Sequence, residues 1–223
     1  MSTNAATATA FMRESRATAL SLRRWFLIAA PVLAGLFAVV GAAADPAVGE
    51  EGRTLWEKYA ANPDALQWKS FGFHWSYAFW TIAAFVLAGA VRARGVWLAN
   101  VAALLAFVGA TTLPGLLVID FYDSAIGQAA GVETTEQVDA VLQGMWGIKA
   151  IAIPGLVGAL LCLPLATLAA TRAGLLRWWA FPAALGAVAV FMLSGVTVWG
   201  TIAATVLFGV LAYAVARSRV LAA

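Results

Sequence analysis

At 223 residues, 63% of them hydrophobic and 11% charged, the chain lies outside the composition of soluble domains, where about a quarter of residues are charged. Its net charge of +3 is spread along an apolar chain and makes no contiguous basic face, which excludes nucleic acid as a partner. A single cysteine, Cys162, and a single histidine, His74, exclude an intrachain disulfide, a thiolate metal cluster and a haem held by two imidazoles of one protomer.

Residues 1–24 form a basic tail with Arg13, Arg16, Arg23 and Arg24, and its mixed apolar and basic part, 11–22, suits a helix lying on a membrane surface. The first apolar run covers 25–44. Arg23-Arg24-Trp25-Phe26-Leu27, with Ala42-Ala43-Ala44 before Asp45, also resembles a secretory leader and its cleavage site. The length of the apolar run favours a retained span.

The connection that follows is neither a glycine-serine linker nor a charge run. Between Glu50 and Ala61, Leu55, Trp56 and Tyr59 recur on one face opposite Glu57 and Lys58, which predicts a short interfacial helix ending before Pro63. The second and third spans follow at 72–91 and 96–119, joined by the tight turn Arg92-Ala93-Arg94-Gly95. In the next loop, Thr134 and Gln137 have capping-box spacing, and Val138, Val141, Leu142 and Met145 recur at helical spacing, so a second short helix is expected.

A fourth span is expected at 148–171, and residues 178–216 are too long an apolar run for one crossing. Ser194-Gly195-Val196-Thr197 divides it into spans at 178–195 and 197–216, leaving a tail at 217–223. Trp178, Trp179 and Trp199 fit aromatic belts at the two boundaries. Each of the six spans suits a hydrocarbon core ~30 Å thick.

Arginines and lysines orient the bundle. Arg13, Arg16, Arg23, Arg24, Arg92, Arg94, Arg172, Arg177, Arg217 and Arg219 fall on one side, whereas Arg53, Lys58, Lys69, Lys149 and every acidic residue except Glu14 fall on the other. The excess of positive charge in cytoplasmic segments predicts a multi-pass plasma-membrane protein with both termini cytoplasmic. The expected fold is all-α: a six-helix transmembrane domain over 25–216 with two short extracytoplasmic helices.

Two patterns invite a functional reading. His74 and Tyr77 open the second span, Asp120, Tyr122 and Asp123 close the third, and Lys149 begins the fourth, so all six share one outer layer. If gathered, they would form a small binding pocket, with His74 a proton carrier or a metal ligand beside the aspartates. If separate, they are interfacial residues at helix ends. Pro114-Gly115 and Pro154-Gly155 fall at similar depth in antiparallel spans, where two kinks could line an outward cavity or serve close packing.

The spans carry no ionisable group at midplane, the usual coupling element of pumps and ion-driven transporters. H-E-x-x-H, G-x-S-x-G and Walker patterns are absent, and no motif calls for a cofactor. The arginine-bearing start, Asp45-Pro46 to Asn62-Pro63, His74, Arg92-Ala93-Arg94-Gly95 and Asp120 resemble a broad group of six-span integral membrane proteins common in high-GC, actinobacterial-type genomes. That resemblance implies a topology and no established activity.

The expected function is therefore a non-enzymatic accessory, scaffold or small binding component, with the lipid bilayer as its first partner and a second copy or other membrane subunits as further ones. The alternatives are a permease or channel-like subunit gated at the Pro-Gly pairs, and a membrane enzyme acting on lipid at the outer leaflet.

Overall fold

The computed structural model describes residues 3–218; Arg219 lies beyond them, and the side chains of residues 3–14, 16 and 17, hence of Arg13 and Arg16, also fall outside the described set. Among the described residues there are eight helices and no strand: α1 (Thr3–Ala44), α2 (Gly52–Ala61), α3 (Pro63–Ala90), α4 (Val96–Ala130), α5 (Val132–Gly144), α6 (Trp146–Arg172), α7 (Ala180–Leu193) and α8 (Val198–Ala216). An all-helical bundle satisfies backbone polar groups within each segment, as a chain in hydrocarbon requires.

Five helices are long and apolar enough to cross a bilayer: Thr18–Ala44 within α1, together with α3, α4, α6 and α8. The expected span at 178–195 is reduced to α7, whose 14 residues reach only about 21 Å. It ends where Gly195 and Val196, both with positive φ, turn the chain sharply into α8. Thr197 then caps α8 by accepting the Gly200 N–H at 3.3 Å.

Two other spans are longer than the sequence suggested. α3 begins at Pro63, well before residue 72, because Pro63 is its N1 residue and Asp64 lies in its first turn, both favourable at a helix start. α4 continues past residue 119, through Asp120 and Asp123, until Gly131 at φ 89 ends it. The Thr134–Gln137 capping box is not formed: Gly131 is the N-cap of α5 without a side-chain bond, and Thr134 donates back to Ala130 O at 2.9 Å. The second short helix, α5, and the long helix α6 separate at Met145, whose backbone is extended.

α3 is the central helix, packed against α1, α4 and α6, and the succession α1, α8, α7 and α6 closes the bundle. Small residues form the seams. A Cβ at Gly72 of α3 would come within 2.6 Å of Gly41 Cα, and one at Gly158 of α6 within 2.6 Å of Leu105 O. Such backbone contact maximises dispersion where water supplies no hydrophobic drive between helices.

Large side chains are concentrated around Trp80, which is fully buried, donates its indole N–H to Ala159 O at 2.6 Å and meets Phe191 and Phe208 edge-on or tilted. Near the end opposite α2 and α5, Arg24 donates to Ala216 O at 2.9 Å, satisfying a terminal carbonyl of α8.

The seam gives a direct comparison of two glycines in one helix. Gly72→Ala should destabilise the fold by about 1–3 kcal/mol, because the new methyl meets backbone. Gly89→Ala, with nothing within 4 Å of its added carbon, should stabilise it by about 0.5–1 kcal/mol. Unfolding of both variants in mixed micelles with rising denaturing detergent measures the difference.

Candidate functional site

The charged centre of the molecule is Lys69, which sequence reasoning placed only among the outer charges. It lies on the same face of α3 as Leu66 and Phe73, so helical geometry carries it inward, and its residue is 8% exposed. An ammonium held there needs counter-charges, since desolvation of an unpaired ion costs several kcal/mol.

Three chain segments supply them. Asp120 of α4 lies 3.0 Å from Lys69 Nζ, and Asp45, just after α1, lies 3.6 Å away. Tyr59 of α2 accepts a hydrogen bond from Lys69 Nζ, which also stands 4.4 Å from the tyrosine ring centroid. Burial first, then the neighbouring Asp120 carboxylate, pushes the Tyr59 phenol up to about 12, so it is neutral at physiological pH.

The arrangement is locked from outside. Asp45 also accepts the Ala47 N–H at 3.0 Å, Ser124 donates to Tyr59 O at 2.8 Å, and Gln128 donates to Ser124 Oγ at 3.0 Å. Arg53 of α2 pairs with Glu57 and with Glu133 of α5. The bond from Arg53 holds the Glu133 carboxyl below its usual range.

The six residues expected in one outer layer are divided by this geometry. Asp120 meets Lys69 instead of His74 or Lys149. Asp123 is 7% exposed and makes no side-chain hydrogen bond or ion pair among the described residues, Tyr122 is exposed, and Lys149 is exposed at the start of α6 without an ion pair. His74 is exposed, edge-on to Trp75 at 5.5 Å. Among the described residues no group of three or more His, Cys, Asp and Glu side chains could hold a metal ion.

His74 instead lines a groove of about 830 Å³ between α3 and α4, with Gln67, Ser70 and Phe71 on one wall and Pro114, Leu117 and Phe121 on the other. A second cavity of about 200 Å³ shares His74, Pro114 and Leu117 and reaches Tyr77, Thr81 and Leu113. Ser70 Oγ is buried without a hydrogen-bond partner, a cost of about 1–3 kcal/mol unless something else satisfies it. Ser76 Oγ is likewise unpartnered, but Ser76 does not line either cavity.

The two Pro-Gly pairs do not frame this space together. Pro114 borders it, yet Gly115 has open space around it, while Gly155 is buried against the Thr112 side chain and Pro154 is exposed. α4 and α6 remain continuous helices through both prolines, and they meet along a closed seam at that depth.

Removing the Lys69 cation leaves two carboxylates facing one another. Lys69→Met should destabilise the protein by about 3–5 kcal/mol, and adding Asp120→Leu should restore a large part of the loss, as read in a double-mutant unfolding cycle. The Arg53–Glu133 tie has a defined sign with pH. Its contribution is present above the ordinary Glu pKa of 4.5 and is lost as pH falls through and below that value, so the protection factors of α5 amides, which take out the intrinsic pH dependence of hydrogen exchange, should fall at acid pH and with added salt.

The chain matches no protein-family model, no curated protein and no solved structure.

Proposed function

We propose that this chain is a non-enzymatic accessory or binding component of a bacterial-type plasma membrane, crossing six times with both termini cytoplasmic. The single observation carrying the non-transporting part of this reading is the closed helical interior: Gly72 meets Gly41, Gly155 meets Thr112 and Gly158 meets Leu105 along the helix seams. A permease gate at Pro114 and Pro154 needs space between α4 and α6, where these helices instead touch. Catalysis by His74 needs a partner to orient and charge the imidazole, and His74 makes no side-chain hydrogen bond or ion pair among the described residues, while Asp120 is paired with Lys69.

The short α7 is the sixth crossing in this proposal. α6 ends at the arginine-rich end of the bundle, and α8 must start at the other end to finish near Arg217, so α7 carries the chain between them. The turns on either side add length, and local thinning of the bilayer absorbs the remaining mismatch. Arg24, Arg92, Arg94, Arg172, Arg177 and Arg217 then face the cytoplasm, with α2 and α5 outside.

Cysteine labelling tests both parts. Native Cys162, buried within α6, should resist maleimide in the folded protein and react after denaturation; rapid labelling from either aqueous side would argue for a water-filled path and a transport function. In a Cys162→Ala background, Asp139→Cys in α5 should react with an impermeant maleimide on intact cells, and Ser218→Cys only after permeabilisation. The reverse pattern would overturn the orientation.

A further inference from the structure

The end of the bundle away from α2 and α5 is a cationic surface whose chemistry is independent of the side of the membrane it faces, so an inference drawn from it goes beyond the proposed function and does not rest on it. Arg23, Arg92, Arg94, Arg172, Arg177 and Arg217 are exposed there, and no acidic side chain accompanies them among the described residues. The ion pairs among the described residues all lie at the other end. So do the chain's three lysines, Lys58, Lys69 and Lys149, which leaves this end with arginine as its only cation. Orientation by positive charge is served equally by lysine and arginine. Recognition of phosphate is not, because only a guanidinium offers a planar fork of N–H donors to two oxygens at once.

Two of these arginines are brought to one corner by the fold. A Cβ at Gly95 would come within 2.8 Å of Ala169 O, so the α3–α4 turn rests on the last turn of α6. Arg94 immediately precedes that contact, and Arg172 follows Ala169 by three residues. The terminal carbonyls of α6 are already taken: Ala169, Ala170 and Thr171 accept the backbone N–H groups of residues 173–176. Neither Arg172 nor Arg177 is therefore spent as a helix cap, unlike Arg24, which donates to Ala216 O. Trp97 and Trp178, 72% and 75% exposed, flank the corner. Exposed indoles at the edge of a bundle suit the boundary between headgroups and acyl chains, which favours a phosphate anchored in the bilayer over an acidic protein segment in water.

We propose that the corner formed by the α3–α4 turn and the C-terminus of α6 binds the phosphate of an anionic phospholipid, with Arg94 and Arg172 donating to its oxygens and Trp97 and Trp178 lying at the level of its glycerol backbone. The head carries net negative charge, as in phosphatidylglycerol. A zwitterionic head would bring an ammonium to a surface with no described carboxylate to receive it.

The test uses the full chain in mild detergent, titrated with phosphatidylglycerol and read by native mass spectrometry as lipid retained per protein. Saturable retention is expected, with phosphatidylcholine roughly tenfold weaker. Arg94→Lys combined with Arg172→Lys keeps the net charge and should raise the half-saturating concentration roughly fivefold, the value of about one lost hydrogen bond. Arg23→Lys combined with Arg217→Lys, equally conservative at the same end, should leave it unchanged. Circular dichroism and size-exclusion profiles like those of the parent identify folded variants, and competition on the parent chain needs no variant.

Equal weakening by the two lysine pairs, or none by either, would mean attraction to diffuse charge and would overturn the proposal. Equal retention of phosphatidylcholine and phosphatidylglycerol would sink it too, leaving an unselective lipid shell. Displacement of the lipid from the parent chain by glycerol phosphate or by a glutamate-rich peptide at matching concentration would also count against it, assigning the corner to a soluble phosphate or to an acidic protein.

Discussion

A lysine ammonium buried on the inward face of an apolar helix must be neutralised locally, and the whole α2–α5 end of this molecule is built around that requirement. Lys69 draws Asp45 from the end of α1, Tyr59 from α2 and Asp120 from α4 into one cluster. Each partner is contributed by a different segment, so the cluster fixes the register of α1, α3 and α4 and seats α2 over their ends. Buried pairs of this kind add little net stability compared with an apolar replacement, but they make mispacking expensive. In a bundle whose seams are nearly all alanine and glycine, where sliding by one turn exchanges similar surfaces, that specificity is valuable.

The rest of the interior follows from small residues. Gly41, Gly72, Gly109 and Gly158 bring helix backbones into contact, and the largest fully buried side chains, Trp80, Phe191 and Phe208, gather in one aromatic centre. The indole N–H of Trp80 reaches Ala159 O because α3 and α6 approach closely there. Glycine seams and the aromatic centre are therefore parts of one packing solution: the former set the distances that the latter fills.

Much of this was legible in the residues. Helical class, the apolar segments and the two short helices followed from hydrophobic periodicity and from the absence of charge in long runs. The length of α3 was missed because Pro63 was read as the stop of α2, although a proline just before an aspartate is equally a helix-start signal. With α3 begun at Pro63, the spacing Leu66, Lys69, Phe73 and Trp80 places a lysine on the buried stripe and asks for its counter-charges. Residue type alone could not identify them: Asp120 was visible as a helix-end aspartate, but only tertiary packing distinguishes Lys69, His74 and Lys149 as its partner. The capping box failed for a related reason, since a side chain of the correct type at Thr134 is already inside a helix that Gly131 started earlier.

Adjacent residues on α3 show how one helix can divide its polar groups between two environments. Lys69 and Ser70 are about 100° apart around the axis, a consequence of 3.6 residues per turn. The first points into a cluster that is fully occupied by protein groups; the second borders the α3–α4 groove, its hydroxyl buried without a hydrogen-bond partner. His74, one turn along, continues the groove stripe, while Phe73 continues the buried one. The satisfied stripe anchors α3 rigidly against α1, α2 and α4, and that rigidity is what allows the unsatisfied stripe to be presented at a fixed depth to the bilayer.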